Sequence, residues 1–438
     1  AVHLSRSGDL AARRCHGGSA MSLFGELLST VLERRVRFTA PFETDPRTAE
    51  EMAEALVNAD GEVSGRSLAR QILERFSKMD DSEKVNFFKY LAQALDIDPE
   101  KVRDTLASYE NDRSKTAYGA FMAAAEPRRQ ELIRRLNMVE GATGQLVRMR
   151  ADLLRVAKDE PSLLPLDLDF RHLFRSWFNR GFLVLRPISW ESPAHILEKI
   201  IAYEAVHAID SWDELRRRLE PADRRCFAFF HPAMPDEPLV FVEVALSGEV
   251  PNSIQDLLAE NRAGIDPDNA KTAVFYSISN CQAGLAGISF GNSLIKQVAS
   301  DLSLEQPNLK TFVTLSPIPG LASWLKTTHP DGDVGNDAWM KMMTAWYLCE
   351  GKRPDGAPLD PVARFHLRNG ASVLKVQSTA DTSDKGERQS HGMMVNYHYD
   401  LEKVPLNSET LATTGHVAPS VDIRSLASAA GKSLAREG

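Results

Sequence analysis

The sequence has little cysteine and no long apolar run. Its 438 residues contain four widely spaced cysteines, with no Cys-x-x-Cys pair, namely Cys15, Cys226, Cys281 and Cys349. This spacing offers neither a disulfide framework nor a zinc motif, and it is typical of a reducing cytosol. No stretch approaches the roughly 18 apolar residues that a membrane-spanning helix needs. We therefore expect a cytoplasmic protein with no membrane span and no bound metal.

The sequence also has fewer basic residues than acidic ones. The 52 Lys and Arg residues are outnumbered by 60 Asp and Glu residues, which gives a net charge of −8. Proteins that bind nucleic acid or anionic membranes show the opposite balance, so both classes of partner are disfavoured. The total still permits a small basic pocket for an anionic ligand. The first residues, 1–20, lack the apolar core of a secretory signal, and we interpret them as a tag or disordered leader.

A helical pattern extends over the first part of the sequence, from Met21 to about position 167. Apolar residues recur there every three or four positions, in runs at 24–32, 68–76, 85–95, 102–109, 117–125 and 128–158. The pairs Asp45-Pro46 and Asp98-Pro99 are typical helix starts. The segment 160–165 contains two prolines and is predicted to be a linker. The pattern therefore predicts an all-helical bundle domain over 21–167.

The composition then changes to short β-rich runs separated by helical ones. The predicted strands are 182–185, 226–230, 239–246, 272–278, 311–315 and 373–376. The predicted helices are 195–208, 253–261, 292–302, 337–348 and 361–368. This alternation indicates an α/β domain with a mixed central sheet over 168–424, followed by a C-terminal tail at 425–438.

A glycine-containing loop joins a buried strand to an amphipathic helix within the segment 272–298. Gly284, Gly287 and Gly291 lie in this loop. Glycines let a backbone approach a ligand closely, and the free N–H groups at a helix start bind anions, so the unit suits a pyrophosphate. The loop is neither a Walker A motif nor GxGxxG. A tight turn with close packing is the alternative interpretation.

Two other regions carry polar side chains where active sites commonly lie. Ser316 follows a short apolar strand, and functional residues of open α/β sheets commonly lie at such strand ends. It could equally cap the helix that follows. His366 and Asn369 lie three residues apart at a helix end and share a face, although a single helical histidine is often structural. Asn396 and Tyr399 lie on a strand-like segment and could donate hydrogen bonds or simply pack. These residues form no recognisable metal set.

Five segments, taken in order, resemble the malonyl-CoA decarboxylase family. They read FYSISNCQAGLAGISFGNSLIK, TLSPIPG, AWYLCEGKR, PVARFHLRNGA and GMMVNYHYDLE. The resemblance covers most of the chain from about 168 to 402 and, more loosely, the helical part before it. It implies a multidomain α and α/β protein, in which a helical domain precedes a catalytic domain similar to the Gcn5-related acetyltransferases.

The resemblance also implies an activity, the conversion of malonyl-CoA to acetyl-CoA and carbon dioxide. Ser316 and His366 correspond to the family's catalytic serine and histidine. The CoA-binding stretch corresponds to Ala286, Gly287, Ile288, Ser289, Phe290, Gly291 and Asn292. Cys281 stands where acetyltransferase phosphate loops usually carry Gln or Arg. We therefore expect the pyrophosphate to be held mainly by backbone N–H groups.

The chemistry of this substrate predicts what the site must do. Loss of carbon dioxide from a malonyl thioester leaves an enolate, and the thioester carbonyl accepts the electrons, so we expect no cofactor beyond the substrate itself. We hypothesise that His366 protonates the acetyl carbanion and that Ser316 hydrogen-bonds the malonyl group. Asn369 or Asn396 is predicted to lie near the thioester oxygen, and Tyr399 is a candidate contact for the carboxylate.

Other functions and partners stay open at this stage. A CoA-dependent acyltransferase is the main alternative, because an acetyltransferase-like fold does not determine the reaction. A Ser–His thioesterase lacks its G-x-S-x-G motif, and a CoA-sensing scaffold is the non-enzymatic alternative. The large helical domain predicts a homo-oligomer, either a dimer or a tetramer. The ending lacks a peroxisomal Ser-Lys-Leu signal, which favours a bacterial cytoplasmic protein.

Overall fold

The computed structural model of the protein describes residues 45–288 and 294–437. The predicted leader, the apolar run at 24–32 and the predicted loop residues 289–292 lie outside the described residues. From Arg47 onward the chain forms one compact unit. None of the described helices is both long enough and apolar enough to cross a bilayer.

The first part of the described chain is helical, as predicted. Its helices are α1 (Ala49–Val57), α2 (Glu62–Lys78), α3 (Asp81–Ala94), α4 (Pro99–Asp112), α5 (Lys115–Ala125), α6 (Arg128–Leu136), α7 (Ala142–Val156) and α8 (Leu164–Trp177). Asp98 caps α4 and Pro99 is its first residue, which confirms that predicted start. The start predicted at Asp45-Pro46 is early, because Thr48 supplies the cap of α1.

Two sequence predictions in this part are wrong. The single helix predicted over 128–158 is two helices, because Gly141 adopts a left-handed conformation (φ 73°) immediately before α7. The predicted linker at 160–165 is a 3-10 turn, Pro161–Leu163, that leads directly into α8, and Leu163 is fully buried. The domain bounds stay predictions; α8 runs through position 167/168 without a break.

The second part of the chain is built around one mixed sheet. Its strands are β1 (Val184–Ile188), β2 (Arg224–Phe230), β3 (Val240–Ser247), β4 (Thr272–Asn280), β5 (Thr311–Thr314), β6 (Ser316–Pro317), β7 (Ser372–Gln377) and β8 (Met394–His398). The order is β1-β2-β3-β4-β5-β8-β6, and β7 pairs with β8. Among the strands that the structure describes, β4 and β5 are the one parallel pair, so the sheet is mixed. The predicted fold class, a helical part followed by a mixed-sheet α/β part, is therefore confirmed.

Helices cover the sheet and connect its strands. They are α9 (Ala194–Tyr203), α10 (Trp212–Leu219), α11 (Ile254–Leu258), α12 (Leu294–Glu305), α13 (Leu321–Thr328), α14 (Asp337–Glu350), α15 (Pro361–Arg368), α16 (Asp384–Ser390), α17 (Val404–Thr414) and α18 (Val421–Glu437). The predicted C-terminal tail belongs to α18, where Ala427 and Ala430 are buried and the helix packs against α14.

The helical part and the sheet part share one apolar core. The helices contribute residues such as Phe88, Leu153 and Phe170 to it. The sheet part contributes Met234 and Leu239 and, from the loop after β4, Leu285 and Ile288. Because burial of apolar side chains is the main favourable term in folding, each part depends on the other for stability.

Candidate active site

A cleft opens where β4 and β5 separate. The parallel pairing ends at Phe275 with Thr314, whereas β4 continues to Asn280, so the far half of β4 has no strand partner on that edge in the described chain. A bulge in the β3–β4 pairing lies at the same level. The cleft holds a cavity of about 230 Å³ whose lining is Val206, Phe275, Tyr276, Ile278, Asn280, Ser316, Pro361, Val362, Phe365 and His366. Two of the predicted catalytic residues therefore line one cavity.

Ser316 lies at the floor of this cleft and is only 5% exposed. It forms the short strand β6, which pairs with β8 through Val395 and so fixes the serine backbone. Its Oγ donates a hydrogen bond to Thr314 Oγ1 at 2.8 Å and lies 3.2 Å from His366 Nε2. The structure thus brings together the serine and the histidine, which are fifty residues apart in the sequence.

The start of α15 positions His366. Asp360 caps this helix by accepting hydrogen bonds from the backbone N–H groups of Val362 and Ala363, both at 2.9 Å. Its second carboxylate oxygen accepts the N–H of Gly320, in the turn after β6. One carboxylate therefore ties the helix of the histidine to the strand of the serine. Burial raises the pKa of Asp360.

The second nitrogen of His366 faces Tyr399. The Nδ1 atom lies 2.9 Å from the Tyr399 hydroxyl, and burial lowers the pKa of His366 from its ordinary 6.5 to about 3. The imidazole is therefore neutral at physiological pH. Nδ1 is the one hydrogen-bond partner of the Tyr399 hydroxyl among the described residues. Because a buried hydroxyl proton needs an acceptor, the hydroxyl donates its hydrogen bond to Nδ1. In that arrangement Nε2 carries the imidazole proton and points it at Ser316.

The other predicted polar residues have partners away from the cavity. Asn369 ends α15 and donates its side-chain N–H to the carbonyl of Phe365 at 2.7 Å. The amide of Asn396 donates to the carbonyl of Thr314 at 2.9 Å and accepts from Gln377. Neither side chain is part of the cavity lining. The Tyr399 hydroxyl likewise faces His366 rather than the cavity.

The segment 204–206, which borders the cavity, was not singled out from the sequence. The Glu204 carboxylate accepts hydrogen bonds from the hydroxyls of Ser277 and Ser279 on β4 and from the N–H of Val206, which lines the cavity. Lys385 donates to the carbonyl of Val206 at 3.0 Å. The alternating serines of β4 were visible in the sequence, but nothing there related them to a glutamate about seventy residues earlier.

The loop after β4 approaches the helical part closely. Gly284 packs so tightly against the carbonyl of Val147 on α7 that any Cβ atom would overlap it. Gly287 has a left-handed backbone (φ 73°), which glycine adopts without strain. Of the predicted CoA-binding residues, Ala286, Gly287 and Ile288 are described and belong to this loop. In the described parts of the chain, no group of three or more His, Cys, Asp or Glu side chains could hold a metal ion.

A buried Ser–His–Tyr chain that ends at a cavity at the opened edge of a mixed sheet is typical of an enzyme active site. Comparison with known protein families identifies the family to which this chain belongs. The model of the malonyl-CoA decarboxylase C-terminal domain matches residues 181–336 and 333–437, and that of the N-terminal domain matches 95–178. The chain belongs to the malonyl-CoA decarboxylase family, a family of carboxy-lyases.

Individual relatives agree with this assignment. The mitochondrial malonyl-CoA decarboxylase of Anser anser anser is 31% identical, over 94% of this chain and 90% of that protein. The crystal structure of malonyl-CoA decarboxylase from Agrobacterium vitis is 48% identical with a TM-score of 0.82, covering 86% of this chain and 99% of its own. The structure from Rhodopseudomonas palustris is 45% identical with a TM-score of 0.82, covering 87% and 100%.

Proposed function

We propose that this chain converts malonyl-CoA to acetyl-CoA and carbon dioxide in the cavity between β4 and β6. The observation that carries the proposal is the chain of contacts from Tyr399 through His366 to Ser316, which ends at a cavity of about 230 Å³. A cavity of this size suits an acyl group rather than a whole CoA molecule. Family membership supports the choice of substrate.

Carbon–carbon cleavage needs an electron sink, and the thioester supplies it. As carbon dioxide leaves, the electron pair of the broken bond moves onto the thioester, which becomes an enolate. No added cofactor takes part in this step. The cavity walls include apolar side chains such as Phe275, Ile278 and Phe365, which favour release of the neutral product from a charged carboxylate.

The enolate oxygen must be stabilised as its charge develops. Asn280 and the unpaired edge of β4 supply polar groups on one side of the cavity, and Ser316 supplies a hydroxyl on the other. Donors aimed at developing charge contribute roughly 2.7–4 kcal/mol each. These groups replace Asn369 and Asn396 as our candidates for the thioester oxygen.

His366 then protonates the carbanion. Its Nε2 proton passes to the methylene carbon, directly or through the Ser316 hydroxyl, while the Tyr399 hydroxyl passes its own proton to Nδ1, so that the imidazole stays neutral and the acetyl thioester forms. The proton is restored from water, so each turnover consumes one proton overall. Tyr399 keeps Nδ1 occupied as an acceptor and thereby keeps the transferable proton on Nε2.

Product analysis with malonyl-CoA as the single substrate tests the proposal. We expect acetyl-CoA and carbon dioxide from the wild type, and a decrease in kcat of about 100-fold or more for Ser316→Ala and His366→Ala. Free CoA that appears only with an added amine would identify the acyltransferase alternative instead. Wild-type kcat in both variants would refute the site assignment.

We also propose that the protein is a cytoplasmic homo-oligomer that associates through its helical part. Helix α4 has no buried residue, and α5 leaves Tyr118 and Met122 half exposed, so an apolar face is available there. We expect light scattering to report a dimer or tetramer for the wild type. A Tyr118→Asp, Met122→Asp double variant should shift it to monomer, and an unchanged mass would contradict this interface.

A further inference from the structure

The loop after β4 turns its carbonyl groups toward the helical part. Arg150 of α7, which is almost completely buried, donates to the carbonyls of Gly284 at 2.6 Å and Ala286 at 3.0 Å. Asp167 of α8 neutralises this arginine through an ion pair at 2.8 Å. The loop is therefore held by a cation whose charge is already satisfied.

Arg171, one turn further along α8, has no ion-pair partner among the described residues. Its guanidinium lies over Gly287, within about 4 Å of where a Cβ atom would be. Its Nε atom is buried and has no hydrogen-bond partner in the described chain. Its charge also acts on Arg150, whose pKa is lowered mainly by burial and partly by Arg171. A buried N–H donor without a hydrogen-bond partner lowers the stability of the fold. The Nε position of Arg171 therefore suits an acceptor from outside the described residues.

Two further cations lie in the turn after α8 and in the helix that follows this loop. Lys296 lies in the first turn of α12, and Arg180 begins the 3-10 turn after α8. Burial lowers the pKa of Lys296, and the nearby charge of Arg180 lowers it further. No carboxylate of the described residues pairs with either side chain. Two neighbouring cations without a carboxylate partner among the described residues are compatible with an anionic ligand, which the geometry of Arg171 over Gly287 supports independently.

We propose that Arg171, Arg180 and Lys296 bind the phosphate groups of CoA, so that α8 of the helical part supplies one of the substrate-binding residues. The proposal rests on the proposed function, because it concerns the same substrate. The pantetheine arm would extend from these cations to the cavity between β4 and β6. Arginine suits this role because its fork of donors matches phosphate oxygens.

This assignment accounts for how an acidic protein attracts a polyanionic substrate. Cys281 leaves the loop without the usual Gln or Arg, and the cations come instead from α8, the turn after it and α12. Deletion of the helical part would then remove the phosphate-binding Arg171 as well as core residues.

Substrates with and without phosphates test the proposal. For Arg171→Gln and Arg180→Gln we expect kcat/KM on malonyl-CoA to fall about 10- to 100-fold, the effect of losing one charged hydrogen bond. The decrease should appear in KM. On malonyl-pantetheine, which has no phosphates, both variants should match the wild type. Arg103→Gln, an exposed arginine of α4, is the control and should behave as wild type on both substrates.

Calorimetric titration with 3′,5′-ADP measures the same site without turnover. We expect the wild type to bind it and both variants to bind it at least about tenfold more weakly, with an affinity that falls as salt is added. Equal losses on malonyl-CoA and malonyl-pantetheine, or unchanged binding of 3′,5′-ADP, would overturn the proposal. Binding of 3′,5′-ADP by a wild type that produces no carbon dioxide would instead refute the proposed function alone. If Arg171→Gln fails to fold, Arg180→Gln and Lys296→Gln decide the outcome.

Discussion

The imidazole of His366 has a neighbour on each nitrogen and an aromatic ring on its face. Tyr399 occupies Nδ1, Ser316 faces Nε2, and the ring of Tyr397 stacks on the imidazole at 4.6 Å. These contacts determine both the tautomer and the orientation of the ring before any substrate binds. A hydrogen bond to one ring nitrogen of a histidine commonly determines which of the two nitrogens carries the proton.

Replacement of Tyr399 by phenylalanine tests the tautomer. Tyr399→Phe removes the donor to Nδ1, so the imidazole proton is free to move there, and we expect kcat to fall about 10- to 100-fold, within the range of general acid–base effects. KM should change little, since the hydroxyl does not line the cavity. Steady-state kinetics with malonyl-CoA measure both constants.

Tyr397→Phe is the matched control. The Tyr397 hydroxyl is buried without a hydrogen-bond partner in the described chain, and phenylalanine keeps the stacked ring. We expect wild-type kcat and equal or slightly greater stability. Equal losses in Tyr397→Phe and Tyr399→Phe would show that packing around the imidazole, rather than the tautomer, governs the rate.

The pH dependence of kcat/KM provides a second test at this scale. Because burial lowers the pKa of His366 to about 3, its neutral fraction stays constant from pH 5 to pH 8. The profile of kcat/KM, which reports groups of the free enzyme, should therefore show no inflection from this histidine in that range. A proton-dependent step near pH 6.5, together with a matching NMR titration of His366, would contradict its burial.

Individual residues were predictable where a motif carried them. Ser316 and His366 followed from the segments TLSPIPG and PVARFHLRNGA, and the structure places their side chains in contact. The roles expected for Asn369 and Asn396 stay predictions, and in the structure both amides bond to backbone carbonyls. An amide can bond in many directions, and the backbone carbonyl that each one meets is determined only by the folded chain.

Helix α15 shows how a whole element serves the site. Its cap, Asp360, holds both the helix that carries His366 and the turn that follows Ser316. We expect Asp360→Ala to lower the free energy of unfolding by about 0.5–2 kcal/mol and also to lower kcat. Urea unfolding and steady-state kinetics measure the two effects.

Asp98→Ala removes a comparable cap from α4, a helix without site residues. The stability loss should be similar, whereas kcat should stay at the wild-type value. If both variants keep wild-type kcat, the cap of α15 stabilises the fold without positioning His366.

The contact between the loop after β4 and α7 is tested by a single methyl group. A Cβ atom at Gly284 would overlap the carbonyl of Val147, so Gly284→Ala must displace the loop. We expect a lower free energy of unfolding and a higher KM for malonyl-CoA. Gly119→Ala, in an open position of α5, should instead stabilise the protein by roughly 0.5–1 kcal/mol. A wild-type KM in Gly284→Ala would show that the loop position does not matter for binding.

Element boundaries were harder to predict than element types. The strands at 226–230 and 272–278 and the helix at 361–368 were confirmed. The long helix over 128–158 was not, because its apolar period continues through Gly141 and gives no sign of the break. The prolines near 160–165 start a helix that is stabilised by tertiary packing, which the local sequence does not reveal.

The stability of the whole molecule is linked to pH by a buried acid of β3, Glu243. Burial first, and the nearby Glu204 second, raise the pKa of Glu243 to about 8, despite the attraction of Arg218 at 3.2 Å. The folded protein therefore keeps a proton that the unfolded chain loses near pH 4.5. Stability must fall as the pH rises through this window, by at most about 1.4 kcal/mol per pH unit.

Glu243→Gln should remove this slope, since glutamine does not ionise and can still accept a hydrogen bond from Arg218. We expect the variant to lose less unfolding free energy than the wild type between pH 5.5 and pH 8. Urea denaturation at both pH values measures the difference. Parallel losses in the two proteins would show that Glu243 is ionised in the native state.

The shared core of the helical part has a consequence for synthesis on the ribosome. The helices α1–α8 leave the ribosome first, yet their core is completed by Met234, Leu239, Leu285 and Ile288. Until translation has passed Ile288, an apolar surface of the finished helices has nothing to cover it. Nascent chains of this length are therefore the ones on which chaperones must act, because exposed apolar surface is what drives aggregation of partly folded intermediates.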